Sequence, residues 1–164
     1  NNLKMLSTPD LKDKYQKKVF QGFESMKSFG YRDSFFGQIK TVTCHDDNSK
    51  VKEILGTNGK GKVLVINSNL ISHAAMIGDE IAQKAIDNEW NGIFVAGYVR
   101  DVELLKEMDL GILALGSTTT KTNKNNKGFL GEDIIFGGVI LREDSWLYAD
   151  KNGWLVSREP LEFN

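Results

Sequence analysis

Two short stretches combine residue types that bind anions and hard metal ions. They are Gly78-Asp79-Glu80-Ile81 and Gly97-Tyr98-Val99-Arg100-Asp101. A glycine at a helix start lets a ligand approach the backbone amides, where the helix dipole favours an anion. Arg100 adds a guanidinium, and Asp101 adds a carboxylate of the kind that hard divalent cations prefer. Together these residues would supply an anion pocket, a guanidinium and a metal-binding carboxylate.

A purely structural role for the same residues stays open at this point. Asp79 and Asp101 are acids at predicted helix N-termini, which the dipole favours in any protein, and Arg100 suits a surface ion pair. However, both helices would begin at the carboxyl ends of strands in a parallel sheet, where ligands usually bind.

Other suggestive motifs fail on order or geometry. Residues 56–62, GTNGKGK, have the spacing of a phosphate-binding loop, but Val63 replaces the required Ser or Thr. The segment also closes a helix and opens a strand, which is the reverse of the required order.

Cys44 and His45 are neighbours on a predicted strand, so they point to opposite faces and cannot form a nucleophile–base pair. We expect a half-buried thiol at Cys44, and the two histidines of the chain exclude a multi-histidine metal site.

The alternation of short apolar runs with amphipathic segments predicts a mostly parallel α/β core followed by a β-rich C-terminal part. The predicted helices are residues 7–15, a segment capped by Asn48 and ended by Asn58-Gly59, 79–88 and 102–106, and the predicted strands are 34–44, 62–66, 92–96, 110–115, 134–136, 138–141, 146–149 and 154–157.

Residues 117–128, STTTKTNKNNKG, are polar and low in complexity. Such a segment has little to bury, so we predict a flexible, solvated loop. Contact of its lysines with RNA or a protein partner is the alternative.

Composition excludes several classes of protein. The 164 residues fit one domain, predicted to span 1–164, and 21 basic against 22 acidic residues leave a net charge of -1. No overall field therefore attracts nucleic acid, and no aromatic–basic RNA motif is present, so we expect no direct nucleic-acid binding. A single cysteine excludes an intramolecular disulfide framework. Without a signal-like or membrane-spanning apolar run, we expect a cytoplasmic protein that does not bind membranes.

Matching residues along nearly the whole chain indicate a family. They are Thr8-Pro9-Asp10-Leu11, Phe36-Gly37-Gln38-Ile39 with Thr41-Val42, Gly61-Lys62-Val63-Leu64-Val65, Asn88-Glu89-Trp90-Asn91-Gly92, Val99-Arg100-Asp101-Val102, Phe136-Gly137-Gly138-Val139 and Tyr148-Ala149-Asp150. The chain resembles the regulator of ribonuclease E activity A (RraA-like) family, which includes metal-dependent 4-hydroxy-4-methyl-2-oxoglutarate aldolases. Asp79, Arg100 and Asp101 reproduce the Asp-x20-Arg-Asp motif of those aldolases. Asn67-Ser68-Asn69-Leu70 departs from the family, which commonly has glycines there.

The resemblance implies an α/β fold, namely a swivelling α/β/β domain related to phosphohistidine domains. Its mixed sheet would have a parallel core and a β-rich C-terminal part. It also implies a ring-shaped homotrimer with sites between subunits.

The resemblance further implies a role for each motif residue. Asp101 would hold Mg²⁺ or Mn²⁺, and Arg100 would bind a keto or carboxylate oxygen of the substrate. The backbone amides of Gly78, Asp79, Glu80 and Ile81 would hold the substrate carboxylate, and Asp79 would position or activate a water. Asp79 and Arg100 are thus the predicted catalytic residues.

The predicted function is a class II aldolase that cleaves 4-hydroxy-4-methyl-2-oxoglutarate, a small 2-oxo acid, to pyruvate. Oxaloacetate decarboxylation would be a side activity, since both reactions pass through a pyruvate enolate. The alternative is a non-catalytic regulator that binds ribonuclease E and inhibits RNA decay.

Overall fold

The computed structural model describes residues 4–164, which fold around one large mixed β-sheet. The helices are α1 (Thr8–Tyr15), α2 (Ser49–Leu55), α3 (Asp79–Asp87) and α4 (Val102–Leu105), with a 3₁₀ turn at Gln16–Lys18. The strands are β1 (Val19–Gln21), β2 (Lys27–Ser28), β3 (Phe35–Thr43), β4 (Lys62–Asn67), β5 (Ala75–Ile77), β6 (Gly92–Val99), β7 (Gly111–Ser117), β8 (Phe129–Leu130), β9 (Ile134–Phe136), β10 (Val139–Leu141), β11 (Trp146–Asp150) and β12 (Gly153–Ser157).

The main sheet has ten strands in the order β1-β12-β11-β3-β4-β6-β7-β2, with β5 also paired to β6 and β8 to β3. Strands β3, β4, β6 and β7 are mutually parallel, and β5 is parallel to β6. The flanking strands β1, β2, β8, β11 and β12 are antiparallel to their neighbours. Strands β9 and β10 form a separate hairpin. The predicted mixed sheet with a parallel core and a β-rich C-terminal part is confirmed.

The central strands are buried on both faces, which explains their continuous apolar sequences. Leu64 of β4 and Ile93 of β6 pack into a core under α2 and α3. Val63 and Phe94, their neighbours in sequence, pack on the opposite face against residues of the C-terminal strands, including Trp154. Successive residues of a strand point to opposite faces, so one strand contributes to both cores.

Helix α1 begins where the sequence predicts, and it is tied to the far end of the chain. The Ser7 hydroxyl accepts a hydrogen bond from the Asp10 amide at 3.2 Å, which is an N-cap. The amide and the hydroxyl of Thr8 each donate to the Asp150 carboxylate at 2.7 Å. Two of the segments that carry the family resemblance therefore meet here.

Several local predictions need correction. Helix α2 ends at Leu55, before Asn58-Gly59, and the Asn48 side chain makes no capping bond. Instead the Asp47 carboxylate accepts from the Ser49 amide at 2.8 Å.

Cys44 is fully buried, not half-buried, because it lies among the residues of the core under α2 and α3. Burial, and then the nearby charge of Asp47, raise the pKa of its thiol to about 12.

The loop that resembles a phosphate-binding loop has the order expected from the sequence. It leaves the end of α2 and enters β4 at Lys62, so it does not lead into a helix N-terminus as a phosphate-binding loop does. Among residues 4–164, no helix has the length and apolar character of a membrane span.

Candidate active site

The two stretches that the sequence singles out meet at one edge of the sheet. Strand β5 lies parallel to β6, and α3 begins at Asp79 directly after β5, while α4 follows β6 and Asp101. The Arg100 amide donates to the Ile77 carbonyl at 3.1 Å and joins the two strand ends. Because both strands run in the same direction, the starts of α3 and α4 lie side by side.

Asp101 adopts the left-handed backbone conformation, with φ 61° and ψ 41°, and so turns the chain sharply from β6 into α4. Asp is one of the few side chains that tolerate this region. Its side chain makes no capping bond to α4. Instead Oδ2 accepts from the amide of Asp79, at the start of α3, at 3.1 Å. The carboxylate is therefore held between the two helix starts, with Gly78 leaving room for it.

Arg100 is half-buried beside this carboxylate. Its Nη1 donates a long hydrogen bond, 3.4 Å, to the Thr119 carbonyl. Among residues 4–164 it forms no salt bridge, so the surface ion pair of the structural alternative is not seen. Its other N–H groups are thus available to an anion.

One cavity of about 390 Å³ lies at this edge of the sheet. Its wall contains every residue that the sequence singles out as a site residue, namely Gly78, Asp79, Glu80, Ile81, Arg100 and Asp101. The structure also places Asn48, Lys121 and Lys124 in the wall. The cavity therefore combines three carboxylates with three cationic side chains.

Residues 117–128, here called the lysine segment, form a largely exposed loop, as the sequence predicts, but hydrogen bonds that the sequence does not indicate hold this loop against the sheet. The Ala75 amide donates to the Thr120 carbonyl at 2.8 Å, so the segment runs beside β5. Thr122 is only 4% exposed, and its hydroxyl accepts from the Asn48 amide at 3.1 Å. The sequence does not indicate this attachment because it comes from hydrogen bonds to distant backbone and side-chain groups, not from apolar burial.

Ordering of the lysine segment brings Lys121 and Lys124 to the cavity, which the sequence interpretation missed. Lys124 Nζ donates to Asn48 Oδ1 at 2.7 Å. Burial, followed by the positive charges of Lys52, Lys121 and Arg100, lowers the pKa of Lys124, against the opposing effect of Asp47. The only signal in the sequence was the density of lysines in residues 117–128, which does not say what they face.

The oxygen ligands around the cavity suit a hard divalent cation. Asp101 Oδ1 accepts no hydrogen bond from the described residues, and Asp79 and Glu80 add carboxylates to the same wall. Oxygen donors of this kind match Mg²⁺ or Mn²⁺ better than zinc. Within residues 4–164, no three His, Cys, Asp or Glu side chains converge as a ready-made metal cluster.

Comparison with known proteins now places the chain in a family. The model of the RraA-like family, described as Aldolase/RraA, matches residues 8–156. The chain belongs to the RraA-like family. The family resemblance and the α/β fold that the sequence indicated are thus confirmed.

Two RraA-like relatives of similar length carry the name "Putative 4-hydroxy-4-methyl-2-oxoglutarate aldolase". The protein from Pseudomonas putida is 48% identical over 156 residues, covering 94% of this chain and 95% of the relative. The one from Vibrio cholerae is 44% identical over 155 residues, covering 94% and 96%.

A solved structure of the RraA-like family has a different functional name. The protein described as the RNA-processing inhibitor RraA from Thermus thermophilis superposes with a TM-score of 0.92 at 34% identity. The alignment covers 97% of this chain and 96% of that one. The names of these similar proteins therefore point in two directions, to an aldolase activity labelled "Putative" and to inhibition of RNA processing.

Proposed function

We propose that this RraA-like chain is a divalent-metal-dependent class II aldolase that cleaves 4-hydroxy-4-methyl-2-oxoglutarate to pyruvate. Oxaloacetate decarboxylation is its side activity. The observation that carries this proposal is the cavity in which Asp79, Arg100 and Asp101 lie together with Lys121 and Lys124. Both substrates are dicarboxylates with a 2-oxo group, so they need cationic and amide donors at two separate points.

The 2-oxo acid end of the substrate fits the start of α3. Asp101 already occupies the amide of Asp79, which leaves the amides of Glu80 and Ile81 to hold a carboxylate. Arg100 would bind the neighbouring keto oxygen. Lys121 and Lys124, on the lysine segment, would bind the second carboxylate, since their side chains lie in the same cavity wall.

Asp101 would hold the divalent cation, Mg²⁺ or Mn²⁺, together with oxygen atoms of water and substrate. When bound, the cation supplies positive charge that stabilises an enolate oxygen. Arg100 contributes to the same stabilisation as a fixed positive charge that needs no reorganisation during the reaction.

The remaining chemistry is a proton transfer and a bond cleavage. A water positioned by Asp79 removes the proton of the C4 hydroxyl, and the C3–C4 bond then breaks. The electron pair of that bond becomes the enolate of one pyruvate, and the C4 fragment leaves as the second pyruvate. In oxaloacetate, loss of CO₂ generates the same enolate. Protonation at carbon completes either reaction.

The test is pyruvate release from both substrates with Mg²⁺ or Mn²⁺ and again with EDTA. We expect turnover above that of the metal ion alone, its loss in EDTA, and a decrease of at least about 100-fold in Arg100→Ala and Asp101→Ala. Arg158→Ala is the matched control, because Arg158 is exposed and lies outside the cavity wall. Full activity in Arg100→Ala would refute the assignment.

The second candidate function is regulation of RNA decay by binding ribonuclease E without catalysis. The likeness to the Thermus RNA-processing inhibitor favours it. Saturable binding of ribonuclease E by a protein that shows no lyase activity would support it. Binding that survives in Asp101→Ala would show that a nuclease-binding surface is separate from the cavity.

We further propose a cytoplasmic homotrimer in which residues 1–164 form a single domain and sites lie between subunits. The exposed side chain of Leu104 lies in a shallow depression next to Asp79 and Glu80, which supports a subunit contact beside the cavity. Light scattering coupled to size-exclusion chromatography tests the trimer, and a monomeric mass would contradict it.

A further inference from the structure

Asp47 is a buried carboxylate outside the cavity wall. It is 1% exposed and lies two residues before Ser49, the first residue of α2. Among residues 4–164 no Lys or Arg forms a salt bridge with it. Burial of a charged carboxylate costs free energy unless hydrogen bonds compensate for the lost hydration. The hydrogen-bond partners of Asp47 therefore indicate its role.

The hydrogen-bond donors to Asp47 are backbone amides and the Ser49 hydroxyl, and two of the amides belong to the lysine segment. Oδ1 accepts from the Ser49 amide at 2.8 Å, and Oδ2 accepts from the Asn125 amide. The Lys127 amide also contributes. Burial raises the pKa of the Asp47 carboxyl, but these hydrogen bonds outweigh it, and the pKa lies below its ordinary value. The carboxylate is therefore ionised at neutral pH and acts only as an acceptor.

Asn48, the next residue, joins the lysine segment to the strand beside the cavity. Its Nδ2 donates to the Met76 carbonyl of β5 at 2.9 Å, and its Oδ1 accepts from Lys124. A further bond links the Asn126 amide to Ser49 Oγ at 3.1 Å. Residues 47–49 thus hold the segment from 122 to 127 at several points.

We propose that Asp47 is a positioning residue that anchors the lysine segment and thereby fixes Lys121 and Lys124 in the cavity wall. This inference rests on the proposed function, since the lysines are positioned for the second carboxylate of a dicarboxylic substrate. Asp47 touches neither substrate nor metal in this assignment. It acts through the backbone of the segment.

Asp47→Asn is the sharpest variant because it changes one oxygen into an NH₂ group at almost constant volume. That group would face backbone N–H donors, so the anchor is lost. Asp46→Asn is the matched control, since Asp46 is the adjacent carboxylate but pairs with the exposed His73 instead. Asn also tolerates the positive φ of 53° at position 46.

The first measurement does not depend on any enzymatic activity. Lys121, Lys124 and Lys127 are trypsin sites within the lysine segment. We expect cleavage there to be at least about tenfold faster in Asp47→Asn than in the unmodified protein or Asp46→Asn. Urea unfolding of each variant checks that global unfolding does not cause the cleavage. If Asp47→Asn does not fold, Ser49→Ala, which removes the Ser49 hydroxyl that accepts from the Asn126 amide and also contributes to Asp47, is expected to give a smaller increase because the amide bonds to Asp47 remain.

The second measurement separates positioning from general destabilisation. In Asp47→Asn we expect KM for oxaloacetate to rise about tenfold while kcat changes less than about twofold. The effect should not add to that of Lys121→Ala/Lys124→Ala, because both changes remove the same interaction.

Cleavage at the unmodified rate, an unchanged KM, or full additivity would each overturn the role of Asp47. Absence of turnover in the unmodified protein would instead refute the proposed function, so the two failures are distinguishable.

Discussion

The α-carbon of Gly78 faces the carboxylate of Asp101 so closely that a Cβ at position 78 would lie 2.4 Å from Asp101 Oδ2. No ordinary contact is that short. The hydrogen bond between Asp101 and the Asp79 amide therefore depends on the absence of a side chain at position 78. The glycine is required here for close approach, because its own φ of -137° is open to any residue.

Gly78→Ala is expected to displace the Asp101 carboxylate and to reduce metal-dependent pyruvate release by at least about tenfold, while the protein stays folded. The measurement is turnover as a function of Mn²⁺ concentration. Gly56→Ala is the control, since the only close approach of a Cβ there is to the flexible end of Lys84, and its distance of 3.4 Å to the Glu53 carbonyl is an ordinary contact. Unchanged activity in Gly78→Ala would show that Asp101 need not occupy this position.

The lowered pKa of Lys124 predicts a pH effect on substrate binding. The ammonium must be protonated to bind a carboxylate, and burial together with Lys52, Lys121 and Arg100 favours its neutral form. KM for oxaloacetate should therefore rise with pH at values below the ordinary lysine pKa of 10.5. Steady-state kinetics between pH 7 and 10 measure this.

Two variants test whether Lys124 causes that rise in KM. Lys124→Arg should remove it, because a guanidinium stays charged throughout. Lys52→Ala should shift it to higher pH, because one of the charges that lower the Lys124 pKa is gone. A profile that neither variant alters would mean that another group titrates.

Asp150 should contribute to stability in a pH-dependent manner. Burial raises the pKa of its carboxyl, but hydrogen bonds from Thr8 and Asn152 outweigh burial and lower it. Its stabilising effect is thus full above the unfolded-state pKa of about 3.9 and is lost as pH falls through the lower folded-state value. Asp150→Asn should lower the free energy of unfolding clearly at pH 7 and much less at pH 3, by urea titration. The exposed Asp13→Asn should have little effect at either pH.

Phe35 packs over two glycines that are paired across β6 and β7. A Cβ on Gly111 would lie 2.2 Å from Phe35 Cδ1, and one on Gly92 would lie 2.4 Å from Phe35 Cδ2. Phe35→Ala should therefore cost about 3–5 kcal/mol of unfolding free energy in urea titrations. Gly111→Ala should also destabilise, and the double variant should cost less than the sum. Phe23→Ala, at a side chain 74% exposed, is the control.

The parallel core was predictable because the apolar sequence of each central strand by itself indicates a buried strand. The apolar runs of β4 and β6 indicate strands buried on both faces, and the intervening amphipathic segments indicate helices. The sequence analysis predicted no strand at β5, but it placed the starts of α3 and α4 at the carboxyl ends of parallel strands, which lie at the same edge of a sheet. The convergence of Asp79, Arg100 and Asp101 followed from that argument.

The attachment of the lysine segment to the sheet was not predictable, for a physical reason. Its order depends on hydrogen bonds that Asp47 and Asn48 form with groups more than 70 residues away in sequence. Backbone amides are the same at every position, so composition gives no sign of such an anchor. The interpretation as a loop therefore missed Lys121 and Lys124, and it missed Asn48 as a residue of the cavity wall.

The ten-stranded sheet ends in very short strands, three residues in β1 and two in β2. Unpaired N–H and C=O groups along an edge strand recruit further chains, and short edges offer few of them. Fibril-like growth by strand addition is accordingly disfavoured, even at high protein concentration. Self-association of this molecule should then proceed through side-chain surfaces and not through the backbone of its edge strands.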